Sequence, residues 1–97
     1  MGRNEKIEYI ATRYGYSKQS RQCIEEMAEL TKAICKADRA ITVSERIELL
    51  KNVQEELADV EIMVRQLKHL LGETEVEEQI DYKLNRQIER IERESTC

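Results

Sequence analysis

Two short acidic pairs stand out in this sequence as residues that could do chemistry: Glu26-Met-Ala-Glu29 and Glu56-Leu-Ala-Asp59. Residues three or four apart on a helix lie on one side of it, so each pair projects its carboxylates together. Each pair also sits beside the apolar residues of its helix rather than opposite them. If the two helices pack antiparallel, as a short connection favours, both pairs meet at one level of their interface. Four carboxylates gathered without cations repel, since two unit charges ~4 Å apart cost ~4 kcal/mol at an effective dielectric of ~20. A hard divalent cation removes that penalty and prefers oxygen ligands, which points to Mg²⁺, with Mn²⁺ as a substitute; zinc usually recruits His or Cys. Either pair alone is ordinary in a chain with 20 acidic residues, and Glu5, Glu8, Glu45, Glu48, Glu92 and Glu94 read as solvated surface charges. Set in the middle of two apolar patterns, the pairs together read as a metal site.

The elements that must position these pairs are helices. The chain has no proline and three glycines, and both residues punctuate chains, so long uninterrupted helices are favoured over sheets. Residues ~3–14 place Ile7, Ile10, Ala11 and Tyr14 on one face, and Gly15 within "YGYS" predicts a stop. Ser17 is placed to cap a second helix running to about Asp38, with Cys23, Met27, Leu30 and Ile34 as its stripe. "TVSE" at Thr42 has the form of a capping box and opens a third helix, ended by Gly72. Its stripe is Leu50, Val53, Leu57, Val60, Val64, Leu67 and Leu71, in alternating steps of three and four. "TEVE" at Thr74 is a second capping box, opening a fourth helix with Val76, Ile80, Leu84, Ile88 and Ile91 turned inward. The expectation is an all-α, four-helix bundle-like domain over residues 1–97, with two long central antiparallel helices.

A third helix of about 29 residues is ~43 Å long at ~1.5 Å per residue, whereas a compact domain of this size has a radius of gyration of ~13 Å. One chain cannot cover such a helix evenly. Self-association is the natural remedy, as a homodimer or homotetramer.

Composition excludes several function classes. A net charge of −4 and a pI near 5.1 argue against a nucleic-acid duplex as the main partner. No apolar run approaches the ~20 residues needed to span a bilayer, and no signal-peptide core is evident, so a cytoplasmic chain without a membrane role is expected. "MGRNEK" carries Lys6 where a myristoylation signal has Ser or Thr. Cys23, Cys35 and Cys97 lack metal-type spacing and read as reduced thiols, the first two fitting a helix interior.

The motif as a whole resembles that of the all-α nucleoside triphosphate pyrophosphohydrolases, the MazG-like and dimeric dUTPase-like superfamily. Their signature is E-x-x-E, a spacer, then E-x-x-D; here 26 residues separate Glu29 from Glu56. "YGYSKQSRQCIEEMAEL" is similar to the family's entry into its second helix, "EELADVEIMVRQL" to its third, and "KLNRQIERI" to the basic segment on the helix that follows. The resemblance covers about residues 9–91. It implies Mg²⁺-dependent hydrolysis of a (d)NTP to the monophosphate and pyrophosphate, with Glu26, Glu29, Glu56 and Asp59 as metal ligands and a house-cleaning role against non-standard or surplus nucleotides.

Glu25 and Glu55, the neighbours of the pairs, are the candidate catalytic bases; each also reads as a solvated helix residue. Lys83, Arg86 and Arg90 recur at steps of three and four, forming a basic ridge that could grip phosphate oxygens or simply pair with Glu89 and Glu94. Lys32 and Lys36 carry a weaker version of the same suggestion. Gln19 and Asn85 are candidates to hydrogen-bond a base or sugar, and Tyr9, Tyr14, Tyr16 and Tyr82 to stack on one, although helical tyrosines more often pack in a core or interface. His69, near a helix C-terminus, suits the helix dipole and needs no catalytic role. The competing function class is a non-catalytic helical interaction or oligomerisation module built on the heptads. A di-iron bundle is disfavoured because those sites use Glu-x-x-His, and His69 has Gln66 three residues before it. A helix-turn-helix lacks its basic recognition helix.

Overall fold

A computed structural model describes residues 1–96 and is all-α, with no strand among them. Cys97 lies outside the described residues. Three helices follow one another: α1 (Arg3–Asp38), α2 (Val43–Leu71) and α3 (Glu73–Thr96). None is long and apolar enough to cross a membrane.

The first two predicted helices run on into one another as α1, with a break in helical geometry between them at the expected position. The stop expected at "YGYS" is a kink inside α1, where Gly15 adopts φ 82°, ψ 169° and leaves the helical region. Only glycine occupies that region readily. A Cβ at this position would meet no atom within 4 Å, so the demand for glycine is conformational rather than steric. Ser17 is not a cap: it lies within α1, where its carbonyl accepts from Ser20 Oγ at 3.2 Å and Arg21 Nε at 3.1 Å. At α2 the expected cap is present, Thr42 Oγ1 accepting from the Glu45 amide at 3.1 Å. The Glu45 carboxylate reaches the Ile41 amide instead of that of Thr42. Gly72 ends α2, its N–H donating to the Lys68 carbonyl at 2.9 Å.

α1 and α2 form an antiparallel hairpin. Gln19 bonds to Gln66, and Glu26 lies against Glu56 and Asp59, so positions rise on one helix as they fall on the other. The seam on α2 is Leu49, Val53, Glu56, Val60, Met63, Leu67 and Leu70, all buried or half-buried and spaced in alternating steps of four and three. The matching seam on α1 is Gln19, Cys23, Glu26, Leu30, Ala33 and Ala37. Such spacing keeps one side of each helix facing the other over its length. The alanines, 4–5% exposed, let the two backbones approach closely. This seam is rotated from the stripe expected on α2. Val53, Val60 and Leu67 take part, whereas Leu50, Leu57, Val64 and Leu71, seven residues apart, are exposed. On α1, Met27, Ile34, Ile10 and Tyr14 are likewise exposed rather than inward.

The fourth predicted helix, α3, does not complete a bundle. It touches α2 only around their junction, and none of its Cα atoms lies within 8 Å of one in α1. Ile80, Leu84, Ile88 and Ile91, expected inward, are exposed, and Val76 is half-buried. The reason is the junction. A single residue, Gly72, separates α2 from α3, whereas two antiparallel helices need a loop of ~2–5 residues to turn back on one another. The capping box expected at Thr74 is absent for the same reason. α3 already begins at Glu73, and the Glu77 carboxylate pairs with Lys68 of α2 instead. The result is an extended shape, with a Cα radius of gyration of 17.3 Å and extents of 43 × 40 × 24 Å.

Candidate functional site

At mid-hairpin the seam turns acidic. Glu26 of α1 and Glu56 of α2 occupy seam positions that, Gln19 apart, go to apolar residues, and both are half-buried. With Asp59, one turn further along α2, each offers an oxygen within 4.8 Å of the other two. The i, i+3 step between Glu56 and Asp59 is what brings two carboxylates of α2 toward one from α1. Gln22, one turn before Glu26, donates from Nε2 to Glu26 Oε1 at 2.8 Å and orients that carboxylate. Its i, i+4 spacing is the sequence signal that identifies it.

No Lys, Arg or His pairs with Glu26, Glu56 or Asp59 among the described residues. The Glu56 carboxyl is held above its usual range, first by desolvation and then by the neighbouring charges of Asp59, Glu29, Glu26 and Glu55. Desolvation and crowding by like charges both disfavour the ionised form. A divalent cation reverses both effects, and three convergent carboxylate oxygens are a hard-ion donor set. The residues present therefore fit Mg²⁺ or Mn²⁺.

Glu29, the fourth expected ligand, lies outside the group of three. Its side chain is exposed and 3.9 Å from Lys32 Nζ, though it stands near enough to act on Glu56. Glu29 and Glu56 also line a groove of about 410 Å³ between the helices, together with Lys32, Lys36, Arg39 and Asn52. Arg39 and Asn52 are ordinary polar residues in the sequence, and only the hairpin register brings them to this groove.

The other candidates separate clearly. Glu25 and Glu55 are both exposed, and Glu55 is the one that acts electrostatically on Glu56. Lys83, Arg86 and Arg90 are not brought to the carboxylates: all three are exposed on α3, which leaves the hairpin at its far end. Arg86 lies over the Tyr82 ring, 5.6 Å from its centroid. Gln19, expected to meet substrate, is in the core, 4% exposed, with Nε2 donating to Gln66 Oε1 at 2.6 Å. All four tyrosines are exposed. His69 Nδ1 is 3.7 Å from Glu8 Oε1, linking the end of α2 to the start of α1. Cys23 is buried, and desolvation raises its thiol pKa; Cys35 is exposed, not interior, and faces the groove.

Comparison of the chain with protein-family models, with curated proteins and with solved structures gives no match.

Proposed function

We propose that this chain is a Mg²⁺-dependent nucleoside triphosphate pyrophosphohydrolase, converting a (d)NTP and water to the (d)NMP and pyrophosphate in a cytoplasmic house-cleaning role. One observation carries the proposal: two half-buried carboxylates sit in a helix–helix seam and converge there with a third, with no cationic side chain paired to them among the described residues. Carboxylates that serve only solubility have no reason to sit in a seam. The resemblance of the E-x-x-E and E-x-x-D pairs to the MazG-like motif supplies the reaction class.

Glu26, Glu56 and Asp59 would hold the cation, with Glu29 close by. When bound, Mg²⁺ supplies neutralisation of phosphate charge and Lewis acidity toward water. Glu55 is the preferred proton acceptor, because it flanks the cluster and its exposed carboxylate can pass the proton to solvent. The water oxygen forms the new bond to the α-phosphorus as its proton goes to Glu55. The bond from that phosphorus to the bridging oxygen breaks, and pyrophosphate leaves with the electron pair. Gln22 keeps Glu26 aimed at the site throughout.

The exposed apolar flank of the hairpin and the exposed face of α3 support assembly into a homodimer or homotetramer. The same faces favour a second reading, a non-catalytic helical oligomerisation module. The two separate in one experiment, measuring pyrophosphate release from a panel of nucleotides with Mg²⁺ for the wild type and Glu56→Gln. The enzyme releases pyrophosphate from at least one nucleotide, and Glu56→Gln removes that release while the helical content stays intact. A wild-type chain inert toward the whole panel, or an active Glu56→Gln variant, overturns the assignment.

A further inference from the structure

Glu56 of the carboxylate cluster, together with Glu29, lies at one end of a longer, charge-divided groove. Beyond Glu29 and Glu56 its walls become cationic: Lys32 and Lys36 of α1 and Arg39 at the α1 C-cap, with Asn52 of α2 opposite. Along α1, Glu29, Lys32 and Lys36 fall at steps of three and four, so they lie on one side of the helix over ~10 Å. Lys36 and Arg39 make no ion pair among the described residues. Lys32 is tied only to Glu29 at 3.9 Å, both side chains being exposed, which is a weak and easily exchanged partnership. The groove thus offers oxygen ligands at one end and free cations at the other.

That division is complementary to one chemical class. Mg²⁺ is usually bound by one or two carboxylates together with phosphate oxygens of its ligand, not by an all-protein cage. A metal at Glu26, Glu56 and Asp59 therefore calls for phosphates beside it, and phosphates call for Lys and Arg. The helix that was expected to supply them, α3, does not reach the site within this chain. We propose that Lys36 and Arg39, assisted by Lys32 and Asn52, bind the polyphosphate tail of the substrate and hold the departing pyrophosphate. This assignment rests on the metal-dependent hydrolase proposed above.

The test uses inorganic tripolyphosphate, which carries the phosphate chemistry without a base or sugar. Its binding in the presence of Mg²⁺ is measured by calorimetry for the wild type, for Lys36→Gln/Arg39→Gln, and for Lys83→Gln/Arg86→Gln as the control on α3. Stabilisation by Mg²⁺ alone is recorded for each by thermal unfolding, which also verifies folding. The groove variant is expected to keep the metal response and to bind tripolyphosphate at least tenfold more weakly, with the α3 variant unchanged. In a Cys97→Ser background, tripolyphosphate with Mg²⁺ is further expected to slow alkylation of Cys35, which is exposed in the groove while Cys23 is buried. Undiminished tripolyphosphate affinity in the groove variant, or loss of affinity in the α3 variant alone, overturns the groove assignment while leaving the metal site standing. Absence of both Mg²⁺ stabilisation and tripolyphosphate binding in the wild type overturns the metal site and the groove together. Tripolyphosphate binding that depends on Lys36 and Arg39 without any stabilisation of the fold by Mg²⁺ overturns the metal-dependent hydrolase and, with it, the assignment of the groove to its substrate.

Discussion

Gln19 and Gln66 form the most exposing test of how the hairpin is built. They are 4% and 2% exposed, and Gln19 Nε2 donates to Gln66 Oε1 at 2.6 Å across the seam. Gln66 Nε2 in turn lies 3.9 Å from Met63 Sδ, and no buried side-chain polar atom is left without a partner among the described residues. Replacing either glutamine by leucine keeps the volume roughly constant but strands the other amide in an apolar seam. A buried donor or acceptor without a partner costs ~1–3 kcal/mol, whereas replacing both partners by apolar groups of similar shape is nearly neutral. At ~4–8 °C per kcal/mol for a domain of this size, Gln19→Leu and Gln66→Leu each lower Tm by ~5–20 °C, and the double variant returns to within a few degrees of the wild type. The coupling between the two positions is then the sum of the two single costs, ~2–6 kcal/mol. Thermal and urea unfolding at one fixed protein concentration provide the measurement, because an oligomer's apparent stability shifts with concentration. A double variant that loses as much as the sum of the singles refutes the paired-amide account. The double variant also decides the role of Gln19, since it retains pyrophosphate release if that amide is a seam residue and loses it if the amide meets substrate.

Three further outcomes follow from the geometry. The Glu56 carboxyl has a folded-state pKa raised above its unfolded value, so its contribution to stability is fully present below the unfolded pKa and lost as pH rises through the folded one. Unfolding of the metal-free chain between about pH 4 and pH 7 should therefore show wild type falling relative to Glu56→Gln, with saturating Mg²⁺ closing the gap. Gly15→Ala places a Cβ on a backbone at φ 82°, ψ 169°, and calorimetric unfolding should register a loss of ~1–3 kcal/mol. Leu84→Glu/Ile88→Glu on the exposed face of α3 should shift sedimentation toward the monomer while leaving the circular dichroism of the hairpin in place; an unchanged sedimentation coefficient places the interface elsewhere.

The helical class and the two acidic pairs were legible because they depend on local patterns. Absence of proline, the cap at Thr42, the stop at Gly72 and the i, i+3 spacing of the carboxylates all act within a few residues. What sequence obscured was set by relations between elements. The apolar stripe at Leu50, Leu57 and Val64 is as regular as the true seam at Leu49, Val53 and Val60, and only packing against α1 selects between them. A glutamate inside a seam looks like a break in that seam, so Glu56 displaced the predicted stripe by one residue. Gln19 looks like a surface amide until Gln66 is seen opposite it. The basic residues of α3 lie in the right order along the chain for the MazG-like pattern, yet a single-residue junction carries them away from the carboxylates.

That junction separates two kinds of encounter. Hairpin closure brings together residues of one chain across a short connection and does not depend on how many copies are present. Any cover for the outer arm would have to come from another molecule, because Gly72 leaves no slack for the arm to fold home. Abundance in the cell, as well as sequence, would then govern what fraction of chains carries a sheltered arm.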